Sequence, residues 1–182
     1  MIERARLSPS AVPPLQRIVV AIDPAGSVGE DSDETAIVVA GVADDGLGYV
    51  LDAVSSKWLP PQWAQKAISL YHRYSADRIV AERNFGGDMV ESTIRAVDSS
   101  VSFRAVTASR GKLVRAEPIA ALYEQNRVRI AGSFPQMEDE LCSYCGTGKS
   151  PNLLDAMVWA LTDLMASSRN DGMIEFYRRQ CE

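Results

Sequence analysis

The stretch Arg17 to Pro24, RIVVAIDP, constrains the fold more than any other part of this chain. Ile18 to Ala21 are apolar or small, Ile22 follows, and most of the run is β-branched. A run this short and this apolar predicts a strand buried on both faces, hence a sheet with covers on both sides. It ends on Asp23, and Pro24 and Gly26 stop it. A carboxylate at the mouth of a rigid strand has a closely fixed position. Taken singly, Asp23 equally suits a strand-terminal acid that caps a turn.

Other strand and helix patterns follow in order. Residues 1–16, with Pro9, Pro13 and Pro14, read as a linker or tail. After an acidic loop, Thr35–Val42 is a second strand, Asp44, Asp45 and Gly46 make a hairpin turn, and Gly48–Val54 returns as a third. Pro60 and Pro61 open an amphipathic helix reaching about Tyr74, with Trp63, Ala67, Leu70, Tyr71 and Tyr74 at helical spacing. Arg78–Ala81 is a fourth, central strand that ends on Glu82. Gly86 and Gly87 lead into a helix with Asp88 near its start, and Val101–Val106 is a fifth strand. Lys112–Gln125 predicts a helix interrupted by Pro118, Arg127–Ile130 a short edge strand, and Phe134–Tyr144 another helix. Pro151 opens the last helix, Asn152–Ala166, which is apolar almost all round and therefore buried.

This order predicts an α/β fold: a mixed sheet of five strands or slightly more, the first three antiparallel, with helices on both faces. The domain spans 17–168, with a polar tail over 169–182. The crossover from third to fourth strand should be right-handed, and ligands in such sheets lie at the carboxyl ends of strands. Asp23 and Glu82 both lie there.

Composition narrows the function. With 182 residues and 46% hydrophobic content, the chain can bury a real core as one domain. No run is long and apolar enough to span a bilayer, and the N-terminus lacks a signal-peptide core. With only three cysteines, the chain fits a reducing, cytoplasmic setting and no membrane. The net charge of −5 excludes a wholly basic nucleic-acid coat but leaves room for a local basic groove. Residues 23–34 hold Asp23, Glu30, Asp31, Asp33 and Glu34 without a base; residues 101–116 hold Arg104, Arg110, Lys112 and Arg115 without an acid. Such a pairing suits a site that holds cations and receives a polyanion, and it equally describes two unrelated solvated surfaces.

Asp155 is a third notable acid, in the first turn of the apolar last helix. Burying it is costly without a partner, although the helix dipole alone favours an acid there. Glu82 has Arg83 and Arg78 nearby as ordinary ion-pair partners. Together, strand one, strand four and the last helix can bring Asp23, Glu82 and Asp155 to one point. An oxygen-only set selects hard cations such as Mg²⁺ or Mn²⁺, and two such ions support phosphodiester hydrolysis. Asp23 would bridge both ions and Asp33 would add a ligand or orient a bound water.

The stretches IDPAG, SDETAIVVAG, WAQKAISLYHRYSADRIVAERNFGGDMV, ASRGKLVRAEPIAALYEQNRV and SPNLLDAMVWALTDL cover most of residues 18–165. In that order they resemble the C-terminal nuclease domain of the large terminase subunit, the DNA-packaging motor of tailed phages. The resemblance implies a ribonuclease-H-like fold and a metal-dependent endonuclease, with Asp23, Glu82 and Asp155 as the catalytic acids holding two divalent cations, Mg²⁺ or Mn²⁺. Some relatives carry a second acid beside the third position, where Ala156 stands here. The substrate implied is concatemeric double-stranded DNA cut with little sequence preference. Arg110, Lys112 and Arg115 would contact its backbone, with Lys112 nearest the scissile phosphate. The implied partners are the terminase ATPase motor domain, the small terminase subunit and the portal. No motor accompanies this domain in the sequence, so an excised domain or a standalone nuclease is expected.

A junction resolvase or transposase-like nuclease of the same fold, or an inactive module docking on a portal or capsid protein, are the other readings. Gly148-Lys149-Ser150 lacks the first glycine of a phosphate-binding loop, Ser143 standing in its place. Cys142 and Cys145 would need two more ligands for a structural zinc, and only Cys181 and His72 remain.

Overall fold

In the computed structural model, residues 2–25, 33–83, 87–108, 111–144 and 151–165 are described. Their elements run α1 (Ile2–Ala5), β1 (Arg6–Leu7), a 3₁₀ turn (Pro9–Ala11), β2 (Leu15–Asp23), β3 (Thr35–Ala43), β4 (Gly48–Ser56) and α2 (Pro60–Arg73). There follow β5 (Arg78–Glu82), α3 (Gly87–Val97), β6 (Phe103–Val106), α4 (Lys112–Glu124), β7 (Val128–Ala131), α5 (Pro135–Ser143) and α6 (Asn152–Met165). One mixed sheet of seven strands has the order β1-β7-β4-β3-β2-β5-β6. The β2–β3–β4 meander is antiparallel, and the pairs β2–β5, β5–β6, β4–β7 and β1–β7 are parallel.

The buried run of β2 explains the two-sided cover. Val19 and Ala21 pack with Leu153, Met157, Leu161 and Leu164 of α6. Val20 and Ile22, one pleat out of phase, pack with Trp63, Ala67 and Leu70 of α2 and with Val90 and Ile94 of α3. Each large apolar side chain fully buried there contributes about 1.5–3 kcal/mol. With no polar residue from Ile18 to Ile22, neither face of β2 can turn to water.

Of residues 1–16, read from the sequence as a linker or tail, the described part carries structure. Ile2 and Ala5 are buried in the α6-side core, Arg6 is ion-paired with Glu138, and Arg6 and Leu7 pair with Ile130 and Ala131. The prolines punctuate this segment without preventing elements short enough to fit between them. In consequence β7, expected at the sheet edge, is flanked on both sides by β1 and β4. Pro118 lies inside α4, where it costs one backbone hydrogen bond but does not end the helix. The expected roles of Gly26, Glu30, Asp31, Gly86, Arg110, Cys145, Gly148-Lys149-Ser150, Cys181 and the tail fall outside the described residues, as does the side chain of Asp88. Among the described residues no helix is long and apolar enough to cross a membrane.

Candidate active site

β2 and β5 run parallel in the register Val20↔Ile79, Ala21↔Val80, Ile22↔Ala81. One residue further on, the strands end side by side on Asp23 and Glu82. Side chains alternate along each strand, so Asp23 shares a face with Val19 and Ala21, on the α6 side. Glu82 is likewise out of phase with Ile79 and Ala81, which join the opposite core. Both carboxylates therefore project towards the first turn of α6, where Asp155 lies. All three are buried, at 7%, 8% and 3% exposure.

The frame around them is held by hydrogen bonds. The Asn152 amide donates to the Glu34 carbonyl at 2.8 Å, tying the start of α6 to the approach to β3. The Ala25 backbone N–H donates to Thr35 Oγ1 at 3.1 Å, fixing the chain just beyond Asp23. Glu140 Oε2 accepts from the Leu154 N–H at 3.0 Å and so satisfies a donor in the first turn of α6.

Cations from α4 close the site. The Lys112 ammonium is ion-paired with Asp155 Oδ2. The Arg115 guanidinium reaches Glu82 Oε2 at 3.4 Å through Nη1 and Asp155 Oδ1 at 3.5 Å through Nη2. Trp159, one turn beyond Asp155, donates its indole N–H to Glu82 Oε2 at 3.2 Å, and the Arg115 guanidinium stacks 4.5 Å from its ring centroid. Arg115 Nε is buried with no hydrogen-bond partner among the described residues.

This crowding has an electrostatic signature. Burial, then the charge of Asp155, and also that of Glu82, push the Asp23 carboxyl up to about 7, against the pull of Lys112 and Arg115. For Lys112, burial works against the ammonium. The Asp155 hydrogen bond and the charges of Asp155, Asp23 and Glu82 outweigh it and raise the pKa. Burial and the neighbouring acids thus outweigh the two cations at Asp23.

An all-carboxylate donor set of this kind suits a hard divalent cation. Among the described residues, however, no group of three or more His, Cys, Asp or Glu side chains is spaced to hold one ion. Lys112 and Arg115 supply the countercharge instead. Asp33 is exposed ahead of β3. Arg115, expected to face DNA, is turned inward with a side chain only 12% exposed, whereas Lys112 is 38% exposed. Sequence reasoning passed over Trp159 and Asp163 as parts of an apolar helix. The available signal was their spacing: Asp155, Trp159 and Asp163 stand four residues apart, along one helix face.

The sequence matches the family model for the Terminase RNaseH-like domain over residues 20–164. The chain belongs to this terminase family. The terminase domain also shares its fold with solved nucleases. The large terminase nuclease of thermophilic phage G20c superposes with a TM-score of 0.62 at 14% identity, covering 81% of this chain and 82% of that one. The nuclease domain of the large terminase subunit of bacterial virus Sf6 gives a TM-score of 0.66 at 15% identity, covering 88% and 95%. The G20c nuclease has been crystallised with bound cobalt, zinc and magnesium. No curated protein matches the sequence of this terminase domain.

Proposed function

We propose that this terminase domain is a divalent-metal-dependent endonuclease that cuts concatemeric double-stranded DNA during viral genome packaging, with little sequence preference. The observation that carries this reading is the convergence of three buried carboxylates from β2, β5 and α6 at the carboxyl end of the sheet, with a half-exposed ammonium beside them. Asp23, Glu82 and Asp155 would hold two ions, Mg²⁺ or Mn²⁺, with Asp23 shared between them. Asp33 would add a ligand or orient a bound water. When bound, such ions acidify water and neutralise charge on the leaving oxygen of a phosphodiester.

The chain's own residues do the rest. Trp159 fixes the orientation of Glu82 through one oxygen. Arg115 braces Glu82 against Asp155, so these two carboxylates keep their separation. Lys112, on the rim, meets the scissile phosphate and offsets the charge that develops there. Arg110 and Lys112 contact the backbone without reading sequence. Family membership supports duplex DNA and the ATPase motor domain as partners; on the same reading the small terminase subunit and the portal would be partners too, in the cytoplasm of a bacterial host.

Plasmid cleavage tests the proposal. Nicking and linearisation should require Mg²⁺ or Mn²⁺, stop with EDTA, and vanish in Asp23→Asn while its melting in EDTA stays cooperative. Parental cleavage by a folded Asp23→Asn variant would refute the site. A parent inert on linear duplex but active on four-way junctions would refute the substrate.

A further inference from the structure

A second cluster of charge lies on the α6 side of the sheet, towards the amino ends of the parallel strands. Asp163, in the last part of α6, is almost fully enclosed, its side chain 1% exposed. Three guanidiniums from three different strands converge on it. Arg17 of β2 is ion-paired with Oδ2 and also donates to the Asp163 carbonyl at 2.7 Å. Arg104 of β6 donates to Oδ1 at 2.7 Å, and Arg78 of β5 lies 3.5 Å from the same oxygen. Their side chains are 35%, 53% and 36% exposed for Arg17, Arg104 and Arg78.

Three guanidiniums gathered at one carboxylate make a basic patch in a protein of net charge −5. Each guanidinium offers five N–H donors, while a carboxylate accepts about four hydrogen bonds in all. Arg104, with the most exposed side chain of the three, can therefore keep its bond to Asp163 and still turn donors outward to a phosphate.

Position says which anion. Val80 pairs with Arg104 and Glu82 with Val106, so Arg104 lies two residues below the level of Glu82, roughly 6.6 Å along the strand. Arg78 and Arg104 share the face of the sheet that bears Asp23 and Glu82. They therefore lie further back on that face, along β5 and β6, with β6 the last strand of the sheet. Successive phosphates of a duplex strand rise about 3.4 Å each. A strand with one phosphate at the acids would carry the next ones over Arg104.

We propose that Arg104, with Arg78 and Arg17, is a phosphate subsite for the DNA backbone flanking the cut, and that Asp163 is the buried carboxylate that gathers the three guanidiniums. This rests on the endonuclease reading above. The cluster belongs to none of the residues assigned there.

The test uses the full chain, a fluorescein-labelled duplex of arbitrary sequence, and anisotropy titrations in EDTA across a range of salt. Arg104→Gln should bind about tenfold more weakly at low salt, as for one lost charge-assisted hydrogen bond. Its log-affinity against log-salt slope should flatten by about 0.9. Arg104→Lys, which keeps the charge, should retain the slope and lose only part of the affinity. Thermal melting of each variant separates this from scaffolding. A Gln variant that melts lower but keeps parental affinity and slope would overturn the proposal and leave the cluster purely structural. In that case parental plasmid cleavage would still stand, so the endonuclease reading would survive. A parent that binds no duplex at all would overturn both.

Discussion

The indole N–H of Trp159 donates to Glu82 Oε2 at 3.2 Å, so a residue from the middle of α6 orients a carboxylate at the end of β5. Two separate elements are thereby locked at the point where the chemistry is proposed to occur. Trp159→Phe keeps an aromatic face for Arg115 but removes the donor and the volume of the second ring. It should cost about 2–3 kcal/mol, from the lost hydrogen bond to a charged group and the cavity left in the core. Cleavage should slow several-fold through lost alignment of Glu82. Urea denaturation and single-turnover cleavage are the measurements, and parental values in both would make the contact incidental.

Asp23 makes stability depend on pH in a direction opposite to most carboxylates. Its pKa is about 7 in the folded protein against 3.8 as the ordinary value. Between those values the folded state binds more protons than the unfolded one. Stability contributed by this group is therefore full below about pH 4 and falls until about pH 7. Asp23→Asn should lack that decline in EDTA. At pH 8 it should be more stable relative to the parent than at pH 4, by on the order of a few kcal/mol. Magnesium should raise the melting temperature of the parent more than that of the variant, by linkage. Equal pH profiles would show that Asp23 carries no such strain.

Arg115 is braced between Glu82, Asp155 and the face of Trp159 with a side chain 12% exposed. Arg115→Ala should destabilise the protein by about 3–5 kcal/mol, because two buried carboxylates lose a counterion together. Lysine should rescue little, since a point charge cannot span both carboxylates or stack as a planar fork. Mg²⁺ should restore more stability to the alanine variant than it adds to the parent. Thermal melts with and without Mg²⁺ decide this.

Lys112 is the more exposed of the two α4 cations. Lys112→Ala should flatten the salt dependence of duplex binding by about 0.9 and act equally on unrelated sequences. Cleavage at saturating DNA should also slow, by about tenfold or more, if the ammonium offsets charge on the phosphate. Anisotropy against salt and a rapid-quench time course check the two parts. An unchanged slope would remove Lys112 from the DNA path.

The sequence by itself determined the sheet, the helices around it and the three acids. Those features are local: β2 announces itself by an unbroken apolar run, α2 by its helical spacing, and Asp23 and Glu82 by standing where such runs stop. The family resemblance rested on the same stretches. Only the tertiary structure decided what faces what. Arg115 reads in sequence as one more base in a basic segment, yet it turns inward because α4 packs against α6 and two buried carboxylates lie within its reach. Asp163 sits in a helix whose neighbours are nearly all apolar, and its three arginines come from positions 59, 85 and 146 residues away in the chain. Residues 2–7 carry no strong periodicity, and they become ordered because β7 offers a free parallel edge and Glu138 a partner for Arg6. Charge pairing across such separations costs chain entropy that only the assembled core repays, so nothing local in the sequence encodes it.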